Sequence, residues 1–188
     1  EDYLQRGESH RTQVLPLESL VWMLCGQQQS PPVATITRMI DQPDDATGLW
    51  MRADPVWLRA DISRVFLAAT DQLALSQVEM KALTQVLSPW LSEAGLSFDA
   101  PNASRWYIRL NSEEAPPLPN PNQVLGQDLA SVFSQAMESG SRASFWYGLM
   151  NEMQMLLFQN SVNEQRRQHG MPEANSLWFW GSGERYFR

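Results

Sequence analysis

Arginine side chains are the residues of this 188-residue chain whose type and spacing could do chemistry. A guanidinium group donates two parallel hydrogen bonds to a carboxylate or a phosphate, so arginines beside strands or at a helix end suit an anion site. The sequence leaves two interpretations open. In one, the arginines pair with nearby acids, among them Asp54, Asp61, Asp99 and Glu164. In the other, some converge on an anion site beside the tryptophan-rich segment near the C-terminus, drawn from Arg52, Arg59, Arg105, Arg166, Arg167, Asn175, Trp178 and Trp180.

Other kinds of catalytic chemistry find little support in the residue pattern. His10 and His169 have no ligand-type residue at a spacing that would complete a metal site, so we expect no metal and no cofactor. The single cysteine, Cys25, falls in an apolar helical stretch and is expected to be a small buried hydrophobe. The Gly-Ser-Gly sequence at 181–183 is similar to a phosphate loop, but no helix with Lys-Ser or Lys-Thr follows it. This favours a tight turn at a strand end.

Composition and charge narrow the classes of protein further. A net charge of −7 and an isoelectric point near 4.8 argue against nucleic-acid binding, which needs a dense basic face. No apolar run of about 18 residues is present, so no membrane span is predicted. One cysteine in the whole chain favours a reducing compartment, and we expect a cytoplasmic protein. The chain begins at Glu1, from which we expect upstream residues to be missing and residues 1–14 to be loosely ordered.

Hydrophobic periodicity and turn residues predict a single α+β domain over residues 1–188. Helices are predicted over 15–24, 78–91, 127–137 and 144–160, and another ends near Arg167. Strands are predicted over 33–40, on either side of a corner at Pro55, and over 64–68, 96–100, 105–110 and 178–180. Short turns between neighbouring strands favour a mainly antiparallel sheet packed by four to five helices over a doubly wound sheet.

Two helices carry specific signals. Ser76 and Glu79 form a capping box at the start of the helix over 78–91, and Pro89 is expected to kink or restart that helix. The helix over 144–160 has a wide apolar stripe with Glu152 as its only ionic residue, which predicts the central helix of the core. We expect Trp178 and Trp180 to pack on one sheet face under it.

Four segments in this order carry a resemblance to a known family: WMRADPVWLR at 50–59, RWYIRL at 105–110, NEMQMLL at 151–157 and NEQRRQHGMPEANSLWFWGSG at 163–183. Together they resemble the bacterial family described as "regulatory protein, RpfE type", over roughly residues 15–183. That family is similar to the domain inserted in the phosphatase-like domain of archaeal-type cofactor-independent phosphoglycerate mutase. The matching positions are Asn163, Arg166 or Arg167, Gly170, Pro172, Asn175, Trp178, Trp180, Gly181 and Gly183.

The chain departs from the mutase where the mutase does its chemistry. The mutase uses two metal ions and a hydroxyl nucleophile held by Asp and His ligands in its other domain, and this sequence has no such set. The resemblance therefore implies a non-catalytic intracellular regulatory or binding protein, whose partner is another protein or a small anionic metabolite. The alternative is a phosphoglycerate mutase-like protein that keeps an arginine-lined phosphoester pocket with weak or lost activity.

Overall fold

The computed structural model describes residues 31–111, 115–116, 118–138 and 142–183. The helix predicted over 15–24, His10, Cys25 and the stretch over 1–14 lie outside these residues. The described α-helices are α1 (Val33–Asp41), α2 (Gln77–Glu93), α3 (Leu129–Glu138), α4 (Ala143–Phe158) and α5 (Ser161–Gln168). The strands are β1 (Leu49–Ala60), β2 (Val65–Ala69), β3 (Ser97–Asp99), β4 (Tyr107–Leu110) and β5 (Ser176–Trp180). The predicted α+β class, with an antiparallel sheet, is confirmed.

The long strand β1 organises the sheet, and the named strands pair with one another in antiparallel fashion. β4 pairs with β1 residues 49–52, β2 with residues 57–60, and β5 with residues 52–56. Since β4 and β5 both pair with Arg52, they lie on opposite edges of β1. The β5 edge continues to Leu58, whose N–H and C=O bond the Asn175 side chain, so β2 shares the β4 edge. β3 pairs with β4 and completes the five strands.

The corner predicted at Pro55 is wrong, because β1 runs through this residue as one strand of 12 residues. Ala53 donates its N–H to the carbonyl of Trp106 at 2.8 Å, on the β4 edge. Alternate residues direct their N–H groups to the same edge, so the nitrogen of Pro55 faces the gap between the start of β4 and the end of β2. In the described part of the chain no strand pairs with that edge of β1 at Pro55, so the missing N–H costs no hydrogen bond of the sheet and the proline is tolerated.

The strand predicted over 33–40 is also wrong, since these residues form α1. The β-branched residues favoured a strand, but the helix buries Ala34, Thr35 and Arg38 on one face. The Thr37 hydroxyl bonds back to the carbonyl of Val33 at 2.8 Å, an interaction that β-branched threonine makes within helices. Packing of Ala34 with Trp50 and Tyr107 of the sheet outweighs the local propensity.

Helix α2 begins with the predicted capping box, in which Ser76 accepts from the Glu79 N–H and Glu79 accepts from the Ser76 N–H. It continues past Pro89 to Glu93 as one helix, so the expected restart does not occur. Pro89 deprives only the carbonyl of Gln85 of a partner, and Gln85 is exposed, so water can bond that carbonyl.

The central helix packs on the sheet through a different residue of β5 than expected. Trp146 of α4 lies 4.8 Å, centroid to centroid, from Phe179. Side chains alternate along a strand, so Trp178 and Trp180 lie on the face opposite Phe179. Trp178 packs edge-on against Phe133 of α3, while Trp180 lies beside Arg52. No helix in the described part of the chain is long and apolar enough to cross a membrane.

Candidate functional site

Arg52 and Asp54 form a buried ion pair on the β1 face that α1 covers. Arg52 Nη2 and Nε donate to Asp54 Oδ1 at 2.7 and 2.9 Å. The indole Nε1 of Trp180 donates to Asp54 Oδ2 at 2.7 Å, and the Arg52 guanidinium stacks 5.5 Å from the Trp180 ring. Burial raises the pKa of Asp54, which Arg52 and Trp180 oppose by bonding to the ionised form. The polar groups of the predicted site residues Arg52 and Trp180 therefore bond to Asp54 inside the protein rather than point to solvent.

Tyr107 links this pair to a second cluster at the end of α1. Its hydroxyl donates to Asp41 Oδ2 at 2.6 Å, and Arg105 donates to both oxygens of the same carboxylate. The Arg105 hydrogen bond lowers the pKa of Asp41 below its ordinary value. Burial and the hydrogen bond to Asp41 raise the pKa of Tyr107 to about 12. Although the Arg105 side chain is 39 % exposed, its guanidinium hydrogen bonds are therefore directed to Asp41.

Arg38, which the sequence did not single out, is more enclosed than Arg52 or Arg105, at 2 % exposure. Its guanidinium lies 4.2 Å from the Trp50 ring centroid and pairs with Asp45 and Asp99. The misassignment of α1 as a strand hid it, because a strand places Thr35 and Arg38 on opposite faces, whereas the helix buries both on one face. The spacing of Arg38 from Ala34 and Thr35, four and three residues, was the available signal, because both spacings together suit one face of a helix only.

The arginines of α5 occupy a different part of the molecule. Arg166 is buried, pairs with Glu79 at 2.7 Å, and donates to the carbonyls of Leu73 and Pro172. Burial alone would raise the pKa of Glu79, but hydrogen bonds from Ser76 and Arg166 lower it below its ordinary value. Arg166 therefore joins α5 to the α2 cap.

Arg167 and Arg59 are both exposed and lie apart from the Arg52 pair. Arg167 pairs with Glu173 and stacks on Phe158 with its Cζ 4.9 Å from the ring centroid. Arg59 stacks on Trp57 at 5.1 Å. Arg59 is seven residues beyond Arg52 on the same strand, which separates their Cα atoms by roughly 23 Å at the rise of a β-strand. The structure brings Arg52 and Arg105 to either side of Tyr107, and it does not bring Arg59 to them.

The remaining predicted site residues hold the chain segments around β5. The Asn175 side chain bonds the N–H and C=O of Leu58 at 2.8 Å each, so it pins the entry of β5 to β1. Trp178 donates its indole N–H to the carbonyl of Pro119 at 2.8 Å. Asn163 bonds the carbonyl of Leu157 and both backbone groups of Ala174.

The Gly-Ser-Gly sequence at 181–183 presents carbonyl groups to a helix rather than amide groups to an anion. Gly181 accepts from the Ala34 N–H at 2.9 Å, and Gly183 accepts from the Thr35 hydroxyl at 3.3 Å. Gly181 has a φ of +68°, and a Cβ there would lie 3.2 Å from the Cβ of Val33. A glycine at this position permits the turn and the close approach.

A cleft that the sequence did not indicate lies between the C-terminal end of α2 and one face of α4. It has a volume of about 430 Å³, and its lining includes Trp90 and Glu93 on α2 and Phe145, Gly148 and Glu152 on α4. Helical spacing places these residues on facing stripes, three and seven apart on α4 and three apart on α2.

Among the described residues, no three His, Cys, Asp or Glu side chains are grouped as ligands for a metal ion. No family model matches the chain, and neither a curated protein nor a solved structure matches it.

Proposed function

We propose that this chain is a non-catalytic binding protein with a regulatory role, and that its arginines hold the fold together rather than hold a phosphoester. The observation that carries the proposal is the enclosure of Arg52 by its own chain. Its guanidinium bonds Asp54 and lies 5.6 Å from the Tyr107 ring and 5.5 Å from the Trp180 ring. A phosphate would have to displace the buried Asp54 to reach it.

Thermal unfolding with ligands tests this proposal against the phosphoglycerate mutase-like alternative. We expect 2- and 3-phosphoglycerate, with Mg²⁺ or Mn²⁺ present, to leave the melting temperature unchanged. A ligand at a hundredfold excess over its Kd stabilises a folded protein by about 2.7 kcal/mol, which is a rise of about 5–10 °C for a domain of this size.

Variants of solvent-accessible arginines test whether any rise in melting temperature comes from phosphoglycerate bound at the predicted site. Arg105→Gln and Arg167→Gln remove predicted site residues, and Arg64→Gln removes an arginine of the β1–β2 connection that pairs with Asp61. A phosphoglycerate-induced rise that disappears in the first two variants and persists in Arg64→Gln overturns the binding-protein proposal.

We also propose that the protein is located in the cytoplasm. Its support is the single cysteine among 188 residues, the usage expected in a reducing compartment. Fractionation of cells that express the tagged protein tests this location. We expect the protein in the cytoplasmic fraction, and recovery in another fraction contradicts the proposal. The resemblance to the RpfE-type family remains a prediction that rests on the four sequence segments.

A further inference from the structure

The α2–α4 cleft, lined by Trp90, Glu93, Phe145, Gly148 and Glu152, combines a cavity, aromatic walls and carboxylates. Its volume of about 430 Å³ exceeds the space of one side chain and falls in the range of about 300–1,000 Å³ usual for ligand sites. Glu93 and Glu152 are exposed, and neither carboxylate bonds to another group in the described part of the chain. Two acceptors beside an aromatic ring therefore face solvent.

The chemistry of these walls selects a cation. None of the residues that line the cleft is basic. Two carboxylates attract positive charge, and the face of an indole or phenyl ring attracts it too. The half-buried Trp90 presents such a ring. Guanidinium–aromatic contacts recur in this protein: Arg142, which does not line the cleft, stacks on the cleft residue Phe145 with its Cζ 4.5 Å from the ring centroid.

We infer that the cleft binds an arginine- or lysine-bearing segment of a partner protein. This inference rests on the proposed binding function and names the chemistry of the partner. The charge complementarity is general as well as local, because the chain carries a net charge of −7. The basic head group lies between Glu93 and Glu152, and the aliphatic stem packs on Trp90.

Gly148 opens the floor of the cleft and offers a way to close it. A Cβ built on Gly148 meets no atom within 4 Å, so a side chain there extends into open space without a clash. Gly148→Leu therefore fills the cleft while leaving both carboxylates and the α4 backbone in place. Leucine is also a better helix former than glycine, so folding is preserved.

Fluorescence anisotropy with a short labelled peptide of alternating alanine and arginine tests the inference. The variants are Glu93→Gln/Glu152→Gln, which removes both cleft carboxylates, and Gly148→Leu. The control Asp44→Asn/Glu164→Gln removes two exposed carboxylates outside the cleft and so matches the change in net charge. We expect affinity to fall about tenfold in Glu93→Gln/Glu152→Gln, which loses two ion pairs, and by a similar factor in Gly148→Leu, which fills the space beside Trp90. The control should stay within about twofold of the unchanged protein.

Peptide and polyamine comparisons complete the test. The same peptide with citrulline in place of arginine keeps the shape without the charge, and we expect it not to bind. Equal loss in the control variant, equal binding of the citrulline peptide, or no binding of the arginine peptide overturns the inference. Spermidine that binds through Glu93 and Glu152 while the peptide does not also overturns it, in favour of a small polyamine. In each case the phosphoglycerate experiment decides the broader binding function separately.

Discussion

The indole of Trp180 and the carboxylate of Asp54 meet across two neighbouring strands, with Nε1 2.7 Å from Oδ2, in a region closed to water. The second oxygen of Asp54 accepts two hydrogen bonds from Arg52. A buried carboxylate is tolerated only when such partners replace its hydration. The C-terminal strand therefore supplies part of the environment that keeps an ion pair stable in the centre of the sheet.

Removal of Asp54 is expected to destabilise the fold strongly. Asp54→Ala leaves the Arg52 guanidinium buried without its counter-charge, at a cost of about 3–5 kcal/mol in the free energy of unfolding. Trp180→Phe keeps a ring but loses the N–H donor, and we expect a smaller loss of about 1–3 kcal/mol. Urea unfolding measures both. The exposed Asp44→Ala serves as control and should change the free energy by less than about 0.5 kcal/mol; an equal effect at Asp54 contradicts the prediction.

Tyr107 predicts a loss of stability in alkali. Its pKa is raised from 10.0 to about 12, so between these values the native state keeps a proton that the unfolded state has released. The contribution is complete below pH 10 and is lost as the pH rises toward 12, at up to about 1.4 kcal/mol per pH unit.

Urea midpoints from pH 8 to pH 12 measure this dependence. Tyr107→Phe should remove the part of the stability loss between pH 10 and pH 12 that comes from ionisation of Tyr107. It should also lower stability at pH 8, because the hydrogen bond to Asp41 is gone. The half-buried Tyr147→Phe is the matched control and should leave the dependence in place. An alkaline profile that is the same with and without Tyr107 assigns the effect elsewhere.

Asn163 is expected to be worth several hydrogen bonds. Its fully buried side chain bonds the carbonyls of Leu157 and Ala174 and the N–H of Ala174. Asn163→Ala removes all three bonds, and although the Leu157 carbonyl still accepts from the Asn160 N–H, both backbone groups of Ala174 lose this partner. We expect a loss of at least about 2 kcal/mol by chemical denaturation. Asn151→Ala, at an exposed position of α4, provides the comparison and should cost less than about 0.5 kcal/mol. Similar values for the two variants would show that Asn163 is dispensable.

Glycines 148 and 181 should respond to alanine in opposite directions. Gly148→Ala is expected to raise the free energy of unfolding by about 0.5–1 kcal/mol, since the position is helical and open. Gly181→Ala should lower it by more than about 1 kcal/mol, because φ is +68° and Val33 is close. Thermal melts of the two variants compare the same chemical change at both sites, and a stabilising Gly181→Ala is the contrary result.

Local signals predicted local structure well. The capping box at Ser76 and Glu79 is made within four residues, and β3 pairs with β4 across the seven residues 100–106, so both features could be predicted from nearby residues. The helix α1 could not, because its β-branched residues argue for a strand and only its contact with Trp50 and Tyr107 decides otherwise.

The partners of the arginines depended on the same distant contacts. Arg166 lies near Glu164 in sequence, yet it pairs with Glu79, which is 87 positions away. Arg105 pairs with Asp41, 64 positions away, at the end of α1, which was predicted as a strand. Residue type showed that these guanidinium groups would need anions, and only the packed fold determines which ones.

Because the carbonyls of Gly181 and Gly183 bond the first turn of α1, the environment of α1 is completed only after the C-terminal part of the chain has been synthesised. β1 and α1 are synthesised more than 100 residues before β5, which pairs with one edge of β1, and before Gly181 and Gly183, whose carbonyls bond α1. Until residues 176–183 emerge, Arg52 and Asp54 lack Trp180. Because contacts this distant in sequence form slowly, the sheet is completed late in synthesis or after it, and the nascent chain keeps the β5 edge of β1 open until then.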